Sequence, residues 1–229
     1  MDVVYLCRPG ENPELRHSLR SLVNLPHDNV WIVGDAPHWV NRNTTHVVPV
    51  PRQGSTRFGN VRRNLEKACR HPLITDPFIL FNDDFYITRP TTELPLYNRG
   101  HVTDVIGELH RAGNRGPYPQ AVADTAAVLE QHGHRNPLSF ELHVPLLIHK
   151  AAMLDALALN PGITRWHYRT AYGAIAGLRG RTIRDVKILH PNAPFPTTLF
   201  VSTSDNTYKT HHRTLAALFP EPSPHEEHA

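Results

Sequence analysis

The stretch PFILFNDDFYI, residues 77–87, runs four apolar residues into two adjacent carboxylates, Asp83 and Asp84, and then resumes as Phe85-Tyr86-Ile87. A short, continuous apolar run bounded by turn-forming residues is the pattern of a strand covered on both faces. Working back toward the N-terminus, the same pattern recurs in VVYLC (3–7), NVWIVG (29–34) and THVVPV (45–50). Between the runs lie segments of helical period. PELRHSLRSLV spaces Leu15, Leu19 and Leu22 along one face behind Pro13, and FGNVRRNLEKACR (58–70) does the same with Val61, Leu65 and Ala68. Strand, helix, strand, strand, helix, strand predicts an α/β fold around a mostly parallel sheet, with the carboxyl ends of its strands along one edge.

Beyond residue 99 the strand signal fades into a helical half. Helices are expected over 101–112, 119–132, 150–159, 168–178 and 206–219, with a late strand over TIRDVKIL (182–189). No repeat, linker or low-complexity block divides the 229 residues, so one domain is expected over 1–220, with EPSPHEEHA forming a disordered, solvated tail over 221–229.

Composition excludes several classes. Hydrophobic residues make up 40% and charged residues 20%, enough for a core and too little charge for a disordered chain. No apolar run reaches the roughly 18 residues that cross a bilayer, and the N-terminus lacks the pattern of a secretory leader; no membrane span and a cytoplasmic location are expected. Cys7 and Cys69 are too few for a cysteine-built zinc site and read as buried small residues. Four Lys (Lys67, Lys150, Lys187, Lys209) among 24 basic residues leave 20 Arg, in a formal charge of +3. Arg matches phosphate oxygens bidentately, although an Arg-rich coding bias produces the same excess.

Four pieces carry chemistry. Asn82-Asp83-Asp84 places two carboxylates at a strand end, where burial needs water, basic neighbours or a cation. Mg²⁺ is held by one or two carboxylates plus substrate phosphates; the alternative is an Asx turn with both acids solvated. Arg16 and Arg20 lie four apart near a helix start, suited to a diphosphate or to pairing with acids and solvent. His143, in SFELHVP, suits a general acid/base, though a lone His among 17 is usually incidental. Finally VSTSDN (201–206) runs another apolar segment into Asp205, which by itself reads as a helix cap, with Ser204 or Asp205 in that role.

Taken in order, these pieces resemble the Stealth family of sugar-phosphate transferases. The resemblance rests on DVVYL (2–6), ELRHSLRS (14–21), VWIVGDAP with His38-Trp39, Phe58-Gly59-Asn60 with Leu65-Glu66, and LFNDDFYITRP. It continues through His143, Pro145 and Lys150, Arg169 before Tyr172-Gly173, and Asp205. The chain departs where Arg8-Pro9-Gly10-Glu11-Asn12 replaces the usual Asp-Gly after the first strand, and where Ser204-Asp205 replaces a final Asn-Asp.

The resemblance implies a Rossmann-like or GT-A-like sheet, a nucleotide-sugar donor, usually a UDP-sugar, and Mg²⁺ or Mn²⁺. It implies transfer of sugar-1-phosphate to an acceptor hydroxyl. Asp83 and Asp84 would hold the metal, and Arg16, Arg20, Asn60, Asn82 and Lys150 would bind substrate. His143, Asp205 and Arg169 would be catalytic, with Arg16 and Arg169 clamping phosphate oxygens. The acceptor is open among polysaccharide, protein and modified nucleic acid. Three rival readings stand beside it: a GT-A glycosyltransferase releasing nucleoside diphosphate, a nucleic-acid-binding module, and an inactive structural relative.

Overall fold

The computed structural model describes residues 1–51 and 56–227. Its elements in chain order are β1 (Val3–Cys7), α1 (Pro13–Ser21) with a 3₁₀ turn over Leu22–Asn24, β2 (Val30–Gly34), β3 (Thr45–Pro49) and α2 (Arg57–Arg70). There follow β4 (Phe78–Phe81), β5 (Phe85–Ile87), β6 (Tyr97–Asn98), α3 (Val102–Arg111) and α4 (Pro117–Gln131). The rest are β7 (Leu146–Ile148), α5 (Lys150–Ala158), α6 (Tyr168–Ile175), β8 (Arg181–Thr182), β9 (Phe200–Ser202) and α7 (Asp205–Leu218).

The central sheet has the order β3-β2-β1-β4-β7. Its first four strands are parallel and β7 runs antiparallel at the edge, Phe78 opposite Ile148. Both faces are buried, and the period-two alternation of the strands divides the core accordingly. Val4, Trp31, Val33, Phe78 and Leu80 pack with Leu65 and Ala68 of α2 and with Met153 and Ala156 of α5. Val3, Tyr5, Ile32, Ile79 and Phe81 pack instead with Leu15 and Leu19 of α1. Each fully buried Val, Leu, Ile, Phe or Met among them contributes roughly 1.5–3 kcal/mol.

Asp2 locks the amino ends of the strands. Although wholly buried, it accepts bonds from the Asn29 amide (3.2 Å) and side chain (3.0 Å), the Trp31 indole (2.8 Å) and the Thr75 amide (3.0 Å). Burial alone would raise its pKa, but those donors outweigh it and hold the carboxyl below its ordinary range.

The chain moves outward from β1 to β3 and then returns through α2 to β4 on the other side of β1. Strands β1 and β4 therefore flank the place where strand order reverses, and the crevice outside their carboxyl ends is where open α/β sheets bind ligands. Gly34 shapes that edge. Its φ is +123°, and a Cβ there would lie 2.2 Å from the Cys7 carbonyl oxygen and 2.5 Å from Asn64 Nδ2. The space it leaves lets Asn64 donate to the Val33 carbonyl at 3.0 Å, tying α2 to the strand ends.

Several expectations need correction. The stretch 77–87 is two strands: the turn closed by the Phe85 amide on the Asn82 carbonyl (3.3 Å) takes β5 out of the central sheet to pair with β9. The late strand over 182–189 reduces to the β6–β8 pair and a bridge from Lys187 to Ser202. Besides its helices the second half supplies β7 and β9, which no strand expectation covered.

The tail is the largest change. Ser223, His225 and Glu226 are buried, and the Asn41 amide donates to the His225 carbonyl while the Glu227 amide donates to that of Trp39. Residues 221–227 are packed because their backbone finds partners in the segment around 39–45; residues 228–229 of the expected tail lie outside the described residues. Both cysteines are buried and free, as expected. Among the described residues no helix is long and apolar enough to cross a membrane.

Candidate functional site

The edge formed by the ends of β1 and β4 gathers charge of both signs. Asp83 and Asp84 occupy the turn between β4 and β5 with most of their side-chain surface covered. Burial and the adjacent Asp84 carboxylate push Asp83 up to about 7, against partial relief from Arg8. Asp84 Oδ2 accepts from Lys187 Nζ at 3.2 Å, whereas its buried Oδ1 has no hydrogen-bond partner.

Arg8 follows directly on β1. Its guanidinium makes a forked pair with Asp205 (2.9 and 3.3 Å) and approaches Asp83 and Glu14, each at 3.9 Å. Those bonds from Arg8 depress Asp205, while burial raises Glu14, whose Oε2 is buried without a partner. The loop is braced by Asn12, which adopts φ +41°, donates to the Arg8 carbonyl at 2.7 Å and accepts from Arg8 Nε at 3.3 Å. Asn tolerates that left-handed backbone better than most residues. Arg8, Asn12, Glu14, Asp205, Tyr208 and Lys209 line an open cavity of about 520 Å³ here.

Asp205 reaches this cluster because β9 pairs with β5 and the Thr203 amide donates to the Asp84 carbonyl. Ser204, not Asp205, caps α7, in a reciprocal box with Thr207. Asp205 is thereby left free to face Arg8.

His143 stands beside the same turn, its ring edge-on to Phe85 at 6.2 Å between centroids. Asp185 receives the His143 backbone amide at 3.0 Å and approaches Nδ1 at 2.7 Å. Burial would raise Asp185, but the bond and charge of His143 prevail and hold its carboxyl low. An aspartate on Nδ1 fixes the ring so that Nε2 is left to accept a proton. Two residues later Lys187 grips Asp84, so the segment 185–187 ties the imidazole to the acid pair.

The remaining expected site residues are placed elsewhere. Arg16 and Arg20 are bound by Glu226: Arg16 donates to it at 2.9 Å and Arg20 at 2.7 and 2.9 Å, and Arg16 also covers Trp39. Arg169 is buried, donates to the Val144 carbonyl and lies 5.9 Å from the Phe85 ring centre. It therefore supports the His143 loop from beneath and offers no open fork to a phosphate. Lys150 follows β7, which is antiparallel, so it falls at the opposite edge of the sheet from Asp83. Its ammonium is spent on the carbonyls of His71 and Ile74. Asn60 sits in the first turns of α2 in contact with Arg63, and Asn82 closes the acid turn through its carbonyl. The fold thus brings together Asp83, Asp84, Asp205 and His143 and directs Arg16, Arg20, Arg169 and Lys150 to structural partners.

Sequence reading missed Arg8, Glu14, Asp185 and Lys187. For Asp185 and Lys187 the signal was their position two apart in RDVK, masked by the expectation of a strand. Among the described residues, no three His, Cys, Asp or Glu side chains converge so as to hold a metal unaided. Two carboxylates, one with an unsatisfied buried oxygen, fit a hard divalent ion whose other ligands are phosphate oxygens and water. No protein-family model matches the chain, and no curated protein is significantly similar to it.

Proposed function

We propose that this protein is a metal-dependent transferase that uses a nucleotide-sugar donor, of UDP-sugar type, and passes its sugar-1-phosphate to an acceptor hydroxyl. The observation that carries the reading is the pairing, at the reversal point of the sheet, of an acid pair with a His–Asp dyad linked to it through Phe85 and Lys187. The resemblance to the Stealth family, and through it to a GT-A-like arrangement, points the same way at Asp83, Asp84, His143 and Asp205.

A divalent ion between the acid pair and the diphosphate would neutralise charge on the transferred phosphoryl group, the main requirement of this chemistry. Asp83 and Asp84 would hold it. His143 Nε2 would take the proton of the acceptor hydroxyl as that oxygen attacks the phosphorus that bears the sugar, the pyrophosphate bond breaks and the nucleoside monophosphate leaves, and Asp185 would hold the imidazole in the accepting tautomer. Lys187 would keep Asp84 oriented. Residues of the open cavity beside Arg8 would meet the polar parts of donor or acceptor.

A thermal-shift screen of nucleotide sugars with Mg²⁺ or Mn²⁺ tests the donor, because a ligand that binds only the native state raises its melting temperature. Product analysis then separates the reactions. UMP supports phosphoryl transfer; UDP identifies the glycosyltransferase alternative on the same metal grip. Salt-sensitive DNA binding without donor turnover would refute both.

A further inference from the structure

Arg8 stands where the resemblance leads one to expect no cation at all, and its surroundings are unusual for an exposed arginine. Its guanidinium lies within 3.9 Å of three carboxylates, Asp83, Glu14 and Asp205, with a forked bond to the last. The loop that carries it is fixed by Asn12, which is 4% exposed and bonded to both the backbone and side chain of Arg8. Glu14 has 93% of its side-chain surface covered, lines the cavity and keeps one oxygen without a partner. One positive group thus serves three acids and satisfies them incompletely.

We propose that Arg8 is an internal counter-ion of Asp83 that gives way when a divalent cation binds Asp83 and Asp84 together with a diphosphate, and then binds the phosphate oxygens itself. The inference rests on the metal–diphosphate reading of Asp83 and Asp84 and adds to it an exchange that belongs to this chain's Arg-Pro-Gly-Glu-Asn loop. Two cations of the same cluster repel strongly at these distances, so with Arg8 in place a metal alone is disfavoured. A diphosphate reverses the balance, because a guanidinium fork matches phosphate oxygens as well as it matches a carboxylate. Half of the Arg8 side chain is exposed, which leaves it free to turn from Asp205 toward a ligand in the adjoining cavity.

The test is Mn²⁺ binding in the absence of nucleotide, followed by the paramagnetic resonance signal of the free ion, with UDP affinity at saturating Mn²⁺ measured in parallel. Arg8→Gln is expected to bind Mn²⁺ alone at least tenfold more tightly than the wild type and to bind UDP at least tenfold more weakly. Arg8→Lys, which keeps the charge, is expected to resemble the wild type toward Mn²⁺ alone, and the Gln-to-Lys ratio reads the charge effect directly. Equal Mn²⁺ affinity in the Gln and Lys variants, with binding abolished in Asp83→Asn, would overturn the exchange while leaving the metal site standing. Absence of Mn²⁺ binding in every protein, with UDP present or not, would remove the metal reading and the exchange together.

Discussion

Replacing Glu226 with alanine should destabilise the whole domain without touching the candidate site. Glu226 is 2% exposed and accepts three bonds from Arg16 and Arg20 at 2.7–2.9 Å, with a fourth from the Ser223 amide at 2.9 Å. Hydrogen bonds to charged groups contribute about 1.5–3 kcal/mol each, but they do not add here. With side-chain exposures of 36% and 19%, Arg16 and Arg20 recover part of their hydration once the acid is gone. A net loss of about 3 kcal/mol is expected, at the low end of the cost of breaking a buried pair. For a domain of this size that corresponds to a fall of roughly 6–12 °C in melting temperature. Urea denaturation of the wild type and Glu226→Ala gives the figure directly. A loss below about 1 kcal/mol, the range of exposed pairs, would refute the assignment of these arginines to a structural clamp. Arg20→Ala provides the complement: it should lower stability and leave UDP affinity unchanged.

Three further outcomes follow from the geometry. Because Asp83 is raised to about 7, the native state holds a proton there that the unfolded chain releases near the ordinary carboxylate range. Its stabilising contribution is complete below the unfolded pKa and is lost as pH rises through about 7, whereas Mn²⁺ affinity, read by calorimetry, should strengthen over the same rise. Asp185→Asn should lower turnover by about 10²–10⁴-fold with UDP affinity retained; a change confined to KM would contradict the role given to the dyad. Gly34→Ala should cost at least about 2 kcal/mol in urea denaturation, since its Cβ would strike the Cys7 carbonyl in a left-handed backbone.

What the sequence made legible was local. Residues 3–7, 30–34, 45–49 and 78–81 are apolar enough to mark themselves as buried strands, and the α1 and α2 periods give the crossovers that make the sheet parallel. The acid turn was visible because two carboxylates beside a buried strand demand an explanation. Long-range pairing was not visible. Arg16 and Arg20 meet Glu226 across 210 and 206 positions, and no local pattern distinguishes an arginine facing a ligand from one facing the chain's own tail. Lys150 failed for a topological reason: its distance from His143 in sequence is small, but the antiparallel β7 carries the chain across the sheet between them. Asp185 was hidden because the apolar residues Ile183, Val186, Ile188 and Leu189 of TIRDVKIL suggest a strand, while the fold uses that segment to hold His143 and Asp84.

The most direct measurement is the anomalous signal of manganese in a crystal soaked with Mn²⁺ and UDP. A peak about 2.0–2.2 Å from carboxylate oxygens of both Asp83 and Asp84, as expected for a small hard ion, with the diphosphate on its far side, is the result predicted. A peak bound elsewhere, or UDP held with those carboxylates facing open solvent, would contradict the account.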